Sequence, residues 1–162
     1  AFTREMLAGT AWEEMTGEIA RLVDRTMGTE LIGRAASARR VFREVSFSIP
    51  LGRLSPDSGV EGRSGLSGLL EGRIDLLFED EEGWTVVDYK TDDVRPGSEE
   101  ERARAYHAQA AAYAIALESM GISPVCGVHL LFAGTGAAVG VDVGGPGLSS
   151  VRRRIISAAG LE

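Results

Sequence analysis

Two runs, Arg73-Ile-Asp-Leu-Leu-Phe-Glu79 and Trp84-Thr-Val-Val-Asp-Tyr-Lys90, alternate polar with apolar residues, and only the acidic tetrad Asp80-Glu-Glu-Gly83 separates them. A period-two pattern on both sides of so short a turn predicts a β-hairpin. With those four residues as the loop, Glu79 lies opposite Trp84, Leu77 opposite Val86 and Asp75 opposite Asp88. Alternation then sends Asp75, Asp88 and Lys90 to one face, together with Leu77 and Val86, and sends Ile74, Leu76, Phe78, Val87 and Tyr89 to the other. Carboxylates directly across a ladder have Cβ atoms roughly 5 Å apart and destabilise the pairing. A hard divalent cation is the simplest compensation, because Mg²⁺ takes carboxylate, carbonyl and water oxygens. Two other readings need no ion: an exposed face on which water and Lys90 screen the pair, or a register slipped by one residue.

Lys90 narrows the choice. Of seventeen basic residues it is the only lysine, and the other sixteen are arginine. A compact ammonium can approach a phosphate oxygen or a reacting water where the wider guanidinium fork cannot. A lysine retained two positions after one of the paired aspartates points to chemistry at this end of the hairpin.

Taken together, Gly72-Arg-Ile-Asp75, then Asp88-Tyr-Lys90-Thr-Asp92, then Tyr106-x-x-Gln109-x-x-x-Tyr113 resemble the PD-(D/E)XK nuclease superfamily. More narrowly they are similar to the RecB-like nuclease domains at the C-terminal end of UvrD/Rep-type helicase-nuclease subunits. An Asp-x-Lys triplet alone is unspecific; three motifs in this order and spacing are specific. The resemblance implies a restriction-endonuclease-like α/β core and a metal-dependent deoxyribonuclease, an exonuclease module of a DNA helicase-nuclease in recombinational repair whose products carry a 5′-phosphate. It implies that Asp75 and Asp88 hold Mg²⁺ or Mn²⁺, with the backbone carbonyl of Tyr89 as a further ligand. Lys90 would position the attacking water and the scissile phosphate, and Gln109 would stand beside the site on the following helix.

One departure stands out. RecB-like domains usually carry Gly-Thr-x-x-His near the start, the histidine being a metal ligand, and here the matching stretch is Gly9-Thr-Ala-Trp-Glu13. A glutamate oxygen suits Mg²⁺ or Mn²⁺ at least as well as imidazole does, so Glu13 is a candidate ligand. The same substitution equally fits a weakened or inactive site, and Glu13, Glu14 and Glu18 also fit the solvated face of an amphipathic helix. The rival function is therefore a catalytically degenerate nuclease fold that serves as a structural or DNA-channelling interaction module. Against it stands the intact set of Asp75, Asp88 and Lys90, since a domain released from chemistry has no physical reason to keep two repelling carboxylates.

With 162 residues and 44% apolar content, the chain reads as a single globular domain, residues 1–162, with material for a sizeable core. No apolar run approaches the roughly 20 residues of a membrane span, and no signal peptide is evident, so a cytoplasmic domain is expected. Cys126, the one cysteine, allows neither an internal disulfide nor the four-cysteine iron–sulfur cluster of some relatives, and its apolar neighbours suggest a core position. His107 and His129 are too isolated for a zinc site. A net charge of −7 predicts weak DNA binding in isolation, which fits a domain fed by helicase modules of the same or a partner chain. Arg34, Arg39, Arg40 and Arg43, with Arg152, Arg153 and Arg154, are candidates for a local DNA-facing surface or simply for solvated faces. The missing initiator methionine at Ala1 suggests a fragment of a longer protein.

Elsewhere, helical spacing predicts a first helix from Thr3 to Met27 and a second from Thr29 to Arg39. Val41 to Ile49 reads as a strand ended by Pro50, with Glu44 matching an acidic family position of structural rather than catalytic weight. Residues 52–68, rich in glycine and serine, read as a flexible loop outside the core. Ser98 and Glu101 form a capping-box pattern ahead of a long helix reaching Met120, along which Tyr106, Gln109 and Tyr113 share one stripe. Either that stripe faces the site, or both tyrosines are core packing. Val125–Phe132 and Ala138–Val143 read as strands around the turn Ala133–Gly136, and Leu148–Ala159 as the closing helix. The expected architecture is a central mixed sheet flanked by helices, with an α-β-β-β-α-β order at its heart.

Overall fold

Asp80 and Gly83 close the expected hairpin by exchanging backbone hydrogen bonds (3.1 and 3.3 Å), while Asp80 Oδ1 accepts the Glu82 N–H at 3.0 Å in an Asx turn. Gly83 has φ +124°, and a Cβ there would lie 2.7 Å from Cys126 Sγ, so the turn both requires glycine and presses against the strand that begins beside it. The Arg34 guanidinium holds Asp80 Oδ2 (3.0 and 2.7 Å) and Glu82 Oε2 (2.7 Å), and it keeps the Asp80 carboxyl below the ordinary carboxylate range.

The computed structural model describes residues 16–54 and 68–158. Helices α1 (Thr16–Met27) and α2 (Glu30–Ser37) precede β1 (Arg40–Pro50) and a short 3₁₀ turn, Leu51–Leu54. Then follow β2 (Leu69–Glu79), β3 (Trp84–Lys90), α3 (Glu99–Ala103), a 3₁₀ turn at Arg104–Tyr106, α4 (His107–Ser119), β4 (Val125–Phe132), β5 (Ala137–Val141) and α5 (Gly145–Ala158). The five strands form one mixed sheet in the order β1-β2-β3-β4-β5, antiparallel except for the parallel β3–β4 pair. That parallel pair is reached through the α3–α4 crossover, as parallel neighbours require. This is the restriction-endonuclease-like α/β architecture expected from the sequence.

Two apolar layers sandwich the sheet. On one face α4, buried along Ala110, Ala111 and Tyr113–Leu117, packs with Phe47, Ile49, Ile74, Leu77, Val86 and Val128, and α5 adds Val151. On the other, Leu31, Ile32 and Ala35 of α2 pack on Leu76, Phe78, Val87 and Leu131. Helix α2 begins where Thr29 caps it, its hydroxyl accepting the Ile32 N–H at 3.4 Å.

Several expectations give way to tertiary packing. Ile74 joins Leu77 and Val86 rather than Leu76 and Phe78. Opposite Asp75, Glu44 adopts φ +55° and drops out of the ladder, so that Arg43 pairs with Leu76 and Val45 with Ile74. A left-handed residue turns the strand over, and the odd-numbered residues change faces across it: Val41 packs in the smaller core, Val45, Phe47 and Ile49 in the larger. Leu51 and Leu54 are buried in the 3₁₀ turn, so the first residues of the loop expected over 52–68 belong to the core, and residues 55–67 lie outside the described residues. Cys126 is exposed, not a core residue, because it lies at the start of β4 where the hairpin turn crosses the strand. The Ser98 side chain forms no cap; the Glu99 carboxylate accepts the Gly97 N–H at 2.7 Å instead. The first helix, expected over Thr3–Met27, is described only from Thr16. No helix among the described residues is long and apolar enough to cross a membrane.

Phe78 is fully enclosed between α2 and the sheet. Phe78→Ala is expected to cost about 3–5 kcal/mol, seen as a lower urea midpoint at an unchanged denaturant slope. A loss below about 1 kcal/mol would mean the smaller core does not hold α2 as described.

Candidate active site

The sheet forks at the two aspartates. Pairing of β2 with β3 follows the predicted register, Glu79 with Trp84 and Leu77 with Val86, but ends at Leu76 and Val87, one position before Asp75 and Asp88. Beyond that point β2 continues along β1 to Leu69, while β3 continues along β4, pairing Tyr89 with Leu131 and Lys90 with Phe132. The Asp75 side chain replaces the lost ladder bond: its Oδ2 accepts the Tyr89 N–H at 2.9 Å. The Lys90 carbonyl accepts the Ala133 N–H on the β4 side. Since backbone groups alternate between the edges of a strand, the Tyr89 carbonyl turns the other way, toward the fork, as its own N–H does.

Helix α4 covers this end of the larger core and brings its stripe to Asp88, which is only 3% exposed. The Tyr113 hydroxyl donates to Asp88 Oδ1 at 2.9 Å, and Gln109 Nε2 donates to the Tyr113 oxygen at 2.7 Å. Lys90 Nζ stands 2.5 Å from Asp88 Oδ2 and donates to Gln109 Oε1 at 2.9 Å. This cycle sets the Gln109 amide: its oxygen must face the ammonium and its NH₂ the phenol oxygen, because the reverse would point donor at donor. Burial is the main force pushing the Tyr113 hydroxyl up toward the neutral form, and its bond to Asp88 adds to that, so it serves as a donor.

Asp88 Oδ2 has no hydrogen bond of good geometry and no exposed surface despite the nearby ammonium. Burial raises Asp75 above the ordinary carboxylate range; the Tyr89 N–H opposes this, and the negative charges of Asp88 and Glu44 reinforce it. Excess negative potential and a buried carboxylate oxygen without a directed donor together fit a hard cation in the fork. Asp75, Asp88 and the Tyr89 carbonyl are the oxygens available to it. Among the described residues no third His, Cys, Asp or Glu joins them, and Glu13 lies outside those residues. An open cavity of about 460 Å³ gives access, lined by Glu71, Arg73, Asp75, Asp88, Tyr89 and Gln109 among others.

Reading the chain alone missed part of the support. Gly72 has no room for a side chain, because a Cβ there would meet the Phe47 ring at 2.5 Å. Phe47 in turn packs edge-on against Tyr113, at 6.2 Å between ring centroids, behind the hydroxyl that holds Asp88. The first motif glycine thus shapes the wall behind the second motif's aspartate. Glu44 is exposed and paired with Arg73 at 2.9 Å. Of the arginines considered for a DNA-facing surface, Arg34, Arg40 and Arg152 are engaged with Asp80 and Glu82, Glu79 and Glu118 respectively. His129 is half-buried beside Arg34, and burial lowers its basicity.

Comparison with known proteins matches the amino-acid sequence to a family. The profile of the PD-(D/E)XK nuclease superfamily matches residues 2–144. Among curated proteins, an ATP-dependent helicase/nuclease subunit of Geobacillus thermodenitrificans (strain NG80-2) is 36% identical over 132 residues, 73% of this chain and 10% of that protein. Its namesake in Geobacillus kaustophilus (strain HTA426) is 37% identical over 116 residues, covering 67% and 9%. The corresponding protein of Bacillus cereus (strain Q1) is 34% identical over 135 residues, covering 75% and 11%. The chain thus spans about a tenth of the length of the curated relatives it matches.

A raised carboxyl favours folding while protonated: its contribution is complete below the ordinary carboxylate range and is lost as pH rises through the raised folded value. Asp75→Asn cannot ionise yet keeps an oxygen for the Tyr89 N–H. In the absence of divalent metal it is expected to melt above wild type at about pH 8, with the difference closing in acid. Equal melting temperatures under those alkaline conditions would count against a strained Asp75.

Proposed function

Because the chain belongs to the PD-(D/E)XK nuclease superfamily, we propose that it hydrolyses DNA phosphodiester bonds with Mg²⁺ or Mn²⁺, as the exonuclease module of a helicase-nuclease acting in recombinational repair. Asp75, Asp88 and the Tyr89 carbonyl would hold the ion, with Glu13 as a further candidate. When bound, such an ion acidifies water and offsets phosphate charge. The observation that carries this reading is the buried Asp88 carboxylate, one oxygen of which receives no directed hydrogen bond while Lys90, the only lysine of the chain, stands beside it.

Each side chain has a role that follows from its chemistry. Lys90 Nζ places a fixed positive charge at the mouth of the fork, where it can orient a water and offset charge gathering on the phosphoryl oxygens in the transition state. Gln109 holds that ammonium by its carbonyl and, through Tyr113, holds Asp88, so one side chain sets the spacing between the cation and the carboxylate. A net charge of −7 gives the chain little electrostatic grip on duplex DNA. The names of the relatives join a helicase to a nuclease, and this supports a domain to which partner modules deliver the strand.

Mn²⁺ titration by calorimetry, with cleavage of single-stranded DNA followed in the same samples, tests the assignment. The wild type is expected to bind Mn²⁺ and cleave; Asp88→Asn is expected to lose both, and Lys90→Ala to keep metal binding while cleavage falls about 10²–10³-fold. A wild type that binds no Mn²⁺ at millimolar concentration would sink the nuclease reading and leave the chain as an interaction module built on a nuclease fold.

A further inference from the structure

Tyr106, Asp92 and Arg102 form a cluster that the catalytic scheme above does not use. Lys90 Nζ lies 3.8 Å from the centroid of the Tyr106 ring. An ammonium has three N–H donors. Here Nζ lies 2.5 Å from Asp88 Oδ2 without a directed hydrogen bond to it, donates to Gln109 Oε1, and turns another side to the π surface of Tyr106. The ring is not free to swing. Its hydroxyl donates to Asp92 Oδ2 at 2.5 Å and accepts from Arg102 Nη2 at 3.1 Å, and Arg102 Nε bonds the same Asp92 oxygen at 2.7 Å. The Arg102 guanidinium also stands 5.2 Å from the ring centroid, one helical turn before it. Asp92 is two residues beyond Lys90, so the loop leaving β3 is tied to the crossover helices by the same contact that immobilises the ring.

We propose that Tyr106 is a positioning residue for Lys90: a π platform, locked by Asp92 and Arg102, that keeps the ammonium at the fork when the Asp88 carboxylate is engaged elsewhere. This rests on the nuclease reading. The choice of an aromatic face has a physical reason. A third carboxylate at that place would neutralise the ammonium and compete with Asp75 and Asp88 for a cation, whereas a ring face attracts the charge by its quadrupole and leaves it undiminished. If a metal ion takes Asp88 Oδ2, Lys90 loses its closest partner, and Gln109 and the Tyr106 ring alone define where Nζ points. Asp92 and Arg102 act one step further out, by fixing the ring.

The solitary lysine makes this directly observable. In metal-free protein labelled with ¹³C-lysine, the ε-methylene gives a single signal, which the ring current of Tyr106 should displace upfield from the position of an exposed lysine. Tyr106→Leu is expected to return it to that position, and Asp92→Asn, which weakens the lock but keeps the ring, to move it part of the way. With single-stranded DNA and Mn²⁺, both variants should lose kcat with KM little changed, and Tyr106→Phe should retain more activity than Tyr106→Leu. Folding of each variant is checked by its amide spectrum, and Asp92→Asn carries the test should Tyr106→Leu not fold. An ε-methylene signal that stays put in folded Tyr106→Leu or Asp92→Asn, with kcat unchanged, overturns the clamp and leaves the nuclease reading intact. A wild type with the displaced signal that cleaves nothing overturns the nuclease reading and with it the catalytic purpose of the platform.

Discussion

Asp88 sits at the point where β3 leaves β2, enclosed by the apolar layer that α4 lays over the sheet, and the site is organised around this one buried charge. Removing a carboxylate from water is costly unless its oxygens are met by donors or cations. The surrounding structure is arranged to meet that cost: Tyr113 and Gln109 come from α4, Lys90 from two residues along the strand. Even so, one oxygen lacks a directed donor, and a second carboxylate stands nearby. A site finished for stability alone would place an apolar side chain there.

Divergence of the two strands makes room for this arrangement. Were the ladder continued past Leu76 and Val87, the backbone groups around Tyr89 would be consumed in pairing and the aspartates would face each other across a closed sheet. Instead the Asp75 side chain takes the Tyr89 N–H, and strand alternation, with the Lys90 carbonyl bonded on the β4 side, directs the Tyr89 carbonyl toward the same gap. Glu44, left-handed opposite Asp75, allows β1 and β2 to turn over together at the same level, so the break is shared by three strands without a register shift. The larger and smaller cores lie on opposite faces of the sheet, and past the break Ile74 and Val45 fall to the larger one, which ties the position of the fork to the packing of both layers.

Much of the fold was legible in the chain. The hairpin register from Leu76 to Val87 and its acidic turn follow from alternation and a glycine, both of which are local, whereas the expected continuation to Asp75 opposite Asp88 does not form. The stripe of Tyr106, at the end of the 3₁₀ turn, with Gln109 and Tyr113 of α4 follows from helical spacing, although spacing alone left open whether the tyrosines faced the site or the core; they do both, with rings packed and hydroxyls turned to Asp92 and Asp88. The parity change at Ile74 was not legible, because alternation assumes an unbroken strand and nothing in the residue type of Glu44 announces a positive φ. The exposure of Cys126 was missed for a related reason: apolar neighbours along the chain describe a strand, not which end of it a turn crosses.

Local periodicity and composition were enough to say which chemical groups are present and along which elements they run. They place two aspartates and a solitary lysine near the ends of adjoining strands, a glutamine and two tyrosines on one helical stripe, and a net negative charge over the chain. A chain carries these properties before it folds. Packing added what they could not: the strands part at the aspartates, Asp88 is buried with one oxygen lacking a directed donor, the Phe47 ring over Gly72 backs Tyr113, and Asp92 and Arg102 lock Tyr106 over Lys90. Those outcomes join residues far apart in the chain. They depend on how packed layers settle against one another, and no local pattern encodes that.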